Sequence, residues 1–171
     1  MSKIKFNFNK QKAIETILYI AQKRDYIDKM SLYKFLFYSD EIHLNNFGRT
    51  IYGGKYVAMP LGPVPSEVKA LLDKGCPEFV INDYWITPTR EPNMEYLSKS
   101  DVDALNQAYG MYSQFKPREL SDISHEHIAW KNARKKNSFV QNNPVDFLDL
   151  IDPDNVELIE DLEENSKFIL I

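Results

Sequence analysis

Apolar residues recur at three- and four-residue intervals from Ala13 to Ala21, through Ile14, Ile17 and Leu18, so the chain opens with an amphipathic helix. Asn9 or a close neighbour is placed to cap its start, and Lys23-Arg24 suits its end. A second helix is expected from Asp28 or Ser31 to a stop at Gly48. It carries Leu32, Phe35, Leu36, Ile42 and His43, and Tyr33, Phe37 and Tyr38 widen its apolar side. That pattern predicts a helix packed on most of its faces and central to the fold.

Between Arg49 and Pro65 the glycines and prolines rule out a long helix, while Tyr56-Val57-Ala58-Met59 has the content of a short strand. Pro65 is expected in the first turn of a short helix that buries Val68, Leu71 and Leu72 before Gly75. Phe79-Val80-Ile81 and Tyr84-Trp85-Ile86-Thr87 flank Asn82-Asp83, which predicts a β-hairpin turning on that pair. Pro88 to Leu97 reads as a surface loop. Ser98 or Ser100 opens a helix with Val102, Leu105, Ala108, Tyr109 and Tyr112, and Lys116-Pro117 opens another. Helical character continues through Trp130 to Lys136, with or without a break near Ile128. Pro144 and Pro153 each begin a further helical piece, the first with Phe147 and Leu148, the second with Val156, Ile159 and Leu162. Phe168-Ile169-Leu170-Ile171 is left open as a strand, a docked tail or a partner contact.

No repeat or linker divides the chain, so it reads as one mainly α domain over residues 1–171 with a small β-hairpin or short antiparallel sheet. Residues 144–171 are then a C-terminal extension, packed on that domain or facing a partner.

Composition narrows what such a domain does. The chain has 171 residues, 43% of them apolar, and a net charge of −4. That size favours a single core, and the mild acidity argues against nonspecific nucleic-acid binding. No apolar stretch reaches the length needed to span a bilayer, and Met1-Ser2-Lys3-Ile4-Lys5 leads into no signal core, so a cytoplasmic location is expected. Cys76 is alone, which excludes an internal disulfide and a thiolate metal cluster.

Candidate chemistry is sparse. His125 and His127 are two apart, and on a helix they face different directions, so they do not form the usual helical zinc pair. Asp40 and His43 lie one helical turn apart and could serve a small hydrolase or phosphotransfer enzyme, but no nucleophile elbow surrounds Ser39 or Ser66. Gly53-Gly54-Lys55 lacks the Ser or Thr of a phosphate loop. Cys76 sits at a helix C-terminus, where the dipole disfavours a thiolate. The acidic run from Asp149 to Glu164 has no calcium-loop pattern and reads as a solvated face. A DNA-binding regulator would use the second helix for reading, yet Asp40 and Glu41 there would repel phosphate. No cofactor or metal is implied.

The central block resembles a known family. Leu32-Tyr33-Lys34-Phe35-Leu36-Phe37-Tyr38-Ser39-Asp40, then His43, then Gly48-Arg49-Thr50-Ile51-Tyr52-Gly53-Gly54-Lys55-Tyr56-Val57-Ala58-Met59-Pro60-Leu61-Gly62-Pro63-Val64-Pro65 is similar to the Panacea domain of SocA-like antitoxins and phage-associated GepA-type proteins. Leu97-Ser98, Asp101, Leu120-Ser121, Ser124-His125 and Trp130 resemble its later landmarks. Tyr33-Lys34-Phe35 departs from the usual pattern, a change expected to alter surface detail only. The resemblance implies an antitoxin that neutralises a cognate toxin by direct binding, with a cytosolic protease as second partner where the antitoxin also acts as an adaptor.

For such a binder the expected partner contacts are Tyr52, Lys55, Tyr56, Met59, Pro63 and Ser66, on or beside the rigid Gly62-Pro63-Val64-Pro65 corner. Leu36, Asp40, His43, His125 and Trp130 are expected to be structural.

Overall fold

Asn9 accepts a hydrogen bond from the Lys12 N–H and starts α1, Lys10–Ala21. Asp28 does the same for Ser31 N–H at 2.8 Å and starts α2, Lys29–Phe47, which Gly48 ends in the left-handed conformation. These features come from a computed structural model that describes residues 4–136 and 142–168. After α2 come α3 (Ser66–Lys74), α4 (Lys99–Tyr112), α5 (Pro117–His125), α6 (Ile128–Lys136) and α7 (Val156–Phe168). Pro65 stands just before α3, in extended conformation, rather than in its first turn. Ser98 and Asp101 close a reciprocal capping box at the start of α4, and α5 and α6 are separate helices. Residues 169–171 of the apolar tail lie outside the described residues.

The strands form two small antiparallel sheets, so the domain is mainly α with minor β structure. One sheet has the order β1 (Ile27–Asp28), β5 (Trp85–Pro88), β4 (Phe79–Asn82). Asn82 pairs with Trp85, so the hairpin turns on Asp83-Tyr84, one residue beyond the expected pair; Asp83 takes the positive φ of 55°. The other sheet has the order β3 (Gly62–Pro65), β2 (Tyr56–Met59), β6 (Asn143–Pro144). Gly62-Pro63-Val64-Pro65, expected to be a corner, is a strand because its pairing with β2 leaves Pro63 and Pro65 at positions whose nitrogens point away from the ladder. Pro144 lies in β6, not in a helical turn, and the 3₁₀ turn follows at Phe147–Leu150.

α2 runs through the middle with apolar neighbours on all sides. Leu32, Phe35 and Leu36 pack with Ile17, Leu18, Ile86 and Leu105; Phe37, Tyr38 and Leu44 pack with Tyr56, Ala108, Phe147 and Leu150. Val145, Phe147, Leu150 and Ile151 are buried, whereas the described side chains of α7 meet the core through half-buried Leu158, Ile159 and Leu162.

Candidate partner-binding site

The β2–β3 hairpin owes its shape to side chains from helices that follow it in sequence. Four successive carbonyls accept hydrogen bonds from α5 and α6: Ala58 from Arg134 (3.3 Å), Met59 from the Trp130 indole (2.8 Å), Pro60 from His125 Nε2 (2.8 Å) and Leu61 from Ser121 Oγ (2.8 Å). Since a carbonyl only accepts, His125 carries its proton on Nε2. The His125 ring stacks on Trp130 at 4.3 Å, with the Arg134 guanidinium over the same indole. From beneath, Lys34 Nζ donates to the Pro63 carbonyl at 3.1 Å. The backbone of the turn is thus held from two sides, yet its tip side chain, Leu61, is 55% exposed and Met59 is half-buried beside it.

Lys34 is 1% exposed, so the departure from the family pattern reaches the interior, not the surface. Burial lowers its pKa to about 8, against a smaller opposing pull from Asp28. Gly62, at φ +119°, closes over it: a Cβ there would lie 2.3 Å from Ser124 Oγ and 2.7 Å from Lys34 Cε. Gly62→Ala is therefore expected to cost about 3 kcal/mol in urea denaturation, through strain and displacement of the Lys34–Pro63 bond.

Below the hairpin lies a buried polar centre. Asp40 accepts from Ile51 N–H (2.7 Å) and from the Tyr56 hydroxyl (2.5 Å), which ties α2 to the loop and to β2. Burial pushes its pKa up to about 7, and those two hydrogen bonds only partly counter the rise. His43 places Nδ1 2.8 Å from the Arg49 carbonyl and Nε2 2.9 Å from Ser100 Oγ, so Nδ1 holds the proton. Burial lowers its pKa, though the Arg49 carbonyl opposes this. Asp101 collects Lys12 Nζ (2.8 Å), Arg49 Nη1 (3.0 Å) and Ser98 N–H (2.9 Å). Burial alone would raise its pKa; bonds from Lys12 and Ser98 overcome that and bring it below the usual carboxylate value.

Asp40 and His43, one helical turn apart on α2, are both sealed, each with 0% exposure and its polar atoms directed at separate structural groups. Among the expected partner contacts, Lys55 is exposed and Met59 and Ser66 are half-buried. Tyr52, Tyr56 and Pro63 are buried: the Tyr56 hydroxyl donates to Asp40, Tyr52 lies in the core against Gly54, and the Pro63 carbonyl accepts from Lys34. Leu36 is in the core, while His125 and Trp130 are half-buried in the clamp. Lys34, Ser121 and Arg134 are not among the expected site residues. Lys34 carried a signal as a cation amid apolar neighbours on α2, and Ser121 lies in one of the stretches that resemble the family; Arg134 carried none.

Among the described residues no three His, Cys, Asp or Glu side chains gather as a metal site, and no helix is long and apolar enough to cross a membrane. The fold and site define a helical domain, built around one buried helix, that displays a rigid hairpin. The family model described as antitoxin SocA-like, Panacea domain, matches residues 32–131, more than half of the chain, and the chain belongs to that family. The match runs from α2 into α6 and takes in the whole hairpin clamp except Arg134. No curated protein and no solved structure matches the chain.

Proposed function

We propose that this chain is an antitoxin that neutralises a cognate toxin by direct protein–protein contact, without catalysis and in the cytoplasm. Family membership supplies the class of partner. The observation that carries the mechanism is the clamp: five carbonyls of one hairpin are held by side chains while Leu61 projects from its tip. A backbone already fixed in place has little further freedom to lose on binding, so burial of the side chain it displays is offset by less ordering cost. Met59, Lys55 and Ser66 extend the contact along the hairpin and its base. The hydrolase reading would need Asp40 and His43 to reach a substrate through a packed core. Presentation of the toxin to a cytosolic protease would use the same contact and add a second partner.

Co-expression with the product of the adjacent gene should give a co-purifying complex and restore growth. Leu61→Asp is expected to weaken that complex by about tenfold or more while leaving the melting temperature within roughly 2 °C of the parent, because the side chain contacts solvent in the free protein. Growth rescue with no physical association would overturn the direct-binding mechanism.

A further inference from the structure

The two sheets guard their edges differently. In the hairpin sheet, the outer strands β3 and β6 carry Pro63, Pro65 and Pro144, and proline withholds the N–H that an added strand would need. In the other sheet, β1 is two residues long and its Asp28 is occupied in capping α2. β4 has neither protection: Phe79-Val80-Ile81-Asn82 is an outer strand with no proline and no charge.

Register fixes where its backbone points. The Glu78 carbonyl accepts from Thr89 N–H, and pairing alternates along the ladder, so Val80 and Asn82 turn their main-chain groups to β5 while Phe79 and Ile81 turn theirs outward. The Phe79 N–H is taken by the Cys76 carbonyl. Ile81 therefore presents both a donor and an acceptor at the centre of the open edge. The outer face beside it is apolar, with Val80 58% and Trp85 48% exposed and Tyr26 edge-on to Trp85 at 6.2 Å.

We propose that β4 pairs antiparallel with β4 of a second copy of this chain, about a two-fold axis at Ile81, joining two three-stranded sheets into one of six strands. A single residue offering one donor and one acceptor is self-complementary: Ile81 donates to Ile81 and accepts from it, with nothing left over. That register sets Phe79 opposite Asp83 of the second copy. Beside Phe79 runs an open groove of about 590 Å³ lined by Leu72, Asp73, Lys74, Cys76, Ile81 and Lys29. Asp73 there is engaged by Lys29 at 3.7 Å and by Lys69 at 2.5 Å, and Lys74 stands beside it. With Lys29 and Lys69 balancing Asp73, Lys74 is the charge that meets the incoming Asp83 carboxylate. The pairing is independent of the toxin-binding reading, since it uses the sheet that lacks the clamped hairpin.

Sedimentation of the full chain under reducing conditions, which keep Cys76 from cross-linking, should show a dimer at about 100 µM that dissociates on dilution. Lys74→Glu alone and Asp83→Lys alone each place like charges at both symmetric contacts, so each should raise the dissociation constant about tenfold. Mixed in equal amounts, the two variants should recover the parent's dimer, because a heterodimer of one with the other restores opposite charges at both contacts, reversed in sign at one and as in the parent at the other. Hydrogen exchange at the Ile81 amide should slow as concentration rises. A chain that stays monomeric, a mixture that fails to recover, or an Ile81 amide protected only by a different protein would overturn the self-pairing.

Discussion

Asp101→Ala should lower stability by about 3 kcal/mol, a fall of roughly 10 °C in melting temperature for a chain of this size. The wild-type carboxylate is buried and holds Lys12, Arg49 and the Ser98 N–H, with His43 Nε2 3.3 Å away. Alanine leaves Lys12 with no partner for a largely buried ammonium and opens the capping box of α4. Arg49 is 41% exposed and can turn to water, which keeps the loss below that of a wholly buried pair. Asp101→Asn separates the two contributions, since it retains an acceptor for the cap but not the charge. A loss under about 1 kcal/mol for Asp101→Ala in urea denaturation would mean that the network is not coupled to folding.

The second large effect concerns pH. Asp40 has a folded-state pKa of about 7 and an unfolded one near the ordinary carboxyl value of 3.8. A raised pKa means that the folded state binds the proton more tightly. Its stabilising contribution is then fully present below the unfolded pKa and is lost as pH rises through the folded one. The window is therefore about pH 4 to 7, and the swing is of the order of 4 kcal/mol. Asp40→Asn is uncharged throughout, and its amide can still accept from Ile51 N–H. Relative to the parent it should gain stability steadily from about pH 4 to 7 and then level off, whatever the other titrating groups contribute to both proteins. Thermal melts of the pair across that range decide the matter; a constant difference would show that Asp40 is already ionised in the folded state.

Both effects sit in residues whose types were conspicuous in the sequence but whose partners were not. Asp40 and His43 are one helical turn apart on α2, and that spacing invites a direct pairing. Instead, Asp40 is taken by Ile51 and Tyr56, and His43 by Arg49 and Ser100. The same holds for the hairpin. Its Gly-Pro pattern advertised rigidity, but the residues that fix it, Ser121, His125, Trp130 and Arg134, lie about sixty to eighty positions later, beyond any local pattern. Three of the expected contacts, Tyr52, Tyr56 and Pro63, lie buried in the free chain; large aromatics and prolines look alike in a core and at a contact.

What the sequence determined by itself was local: helix starts at or next to Asn9, at Asp28 or Ser31 and at Ser98 or Ser100, the stop at Gly48, the centrality of α2, and the mainly α class; the fold chose Asn9, Asp28 and Ser98 as the caps. Capping and periodicity act within one or two turns, so neighbouring residues suffice to express them. Tertiary structure alone decided that β1 joins β5, that β6 joins β2, that Lys34 turns inward, and that Leu61 is left outside. Each of those outcomes is a competition between water and a distant part of the chain for the same polar group or apolar surface, and only the assembled fold says which one wins.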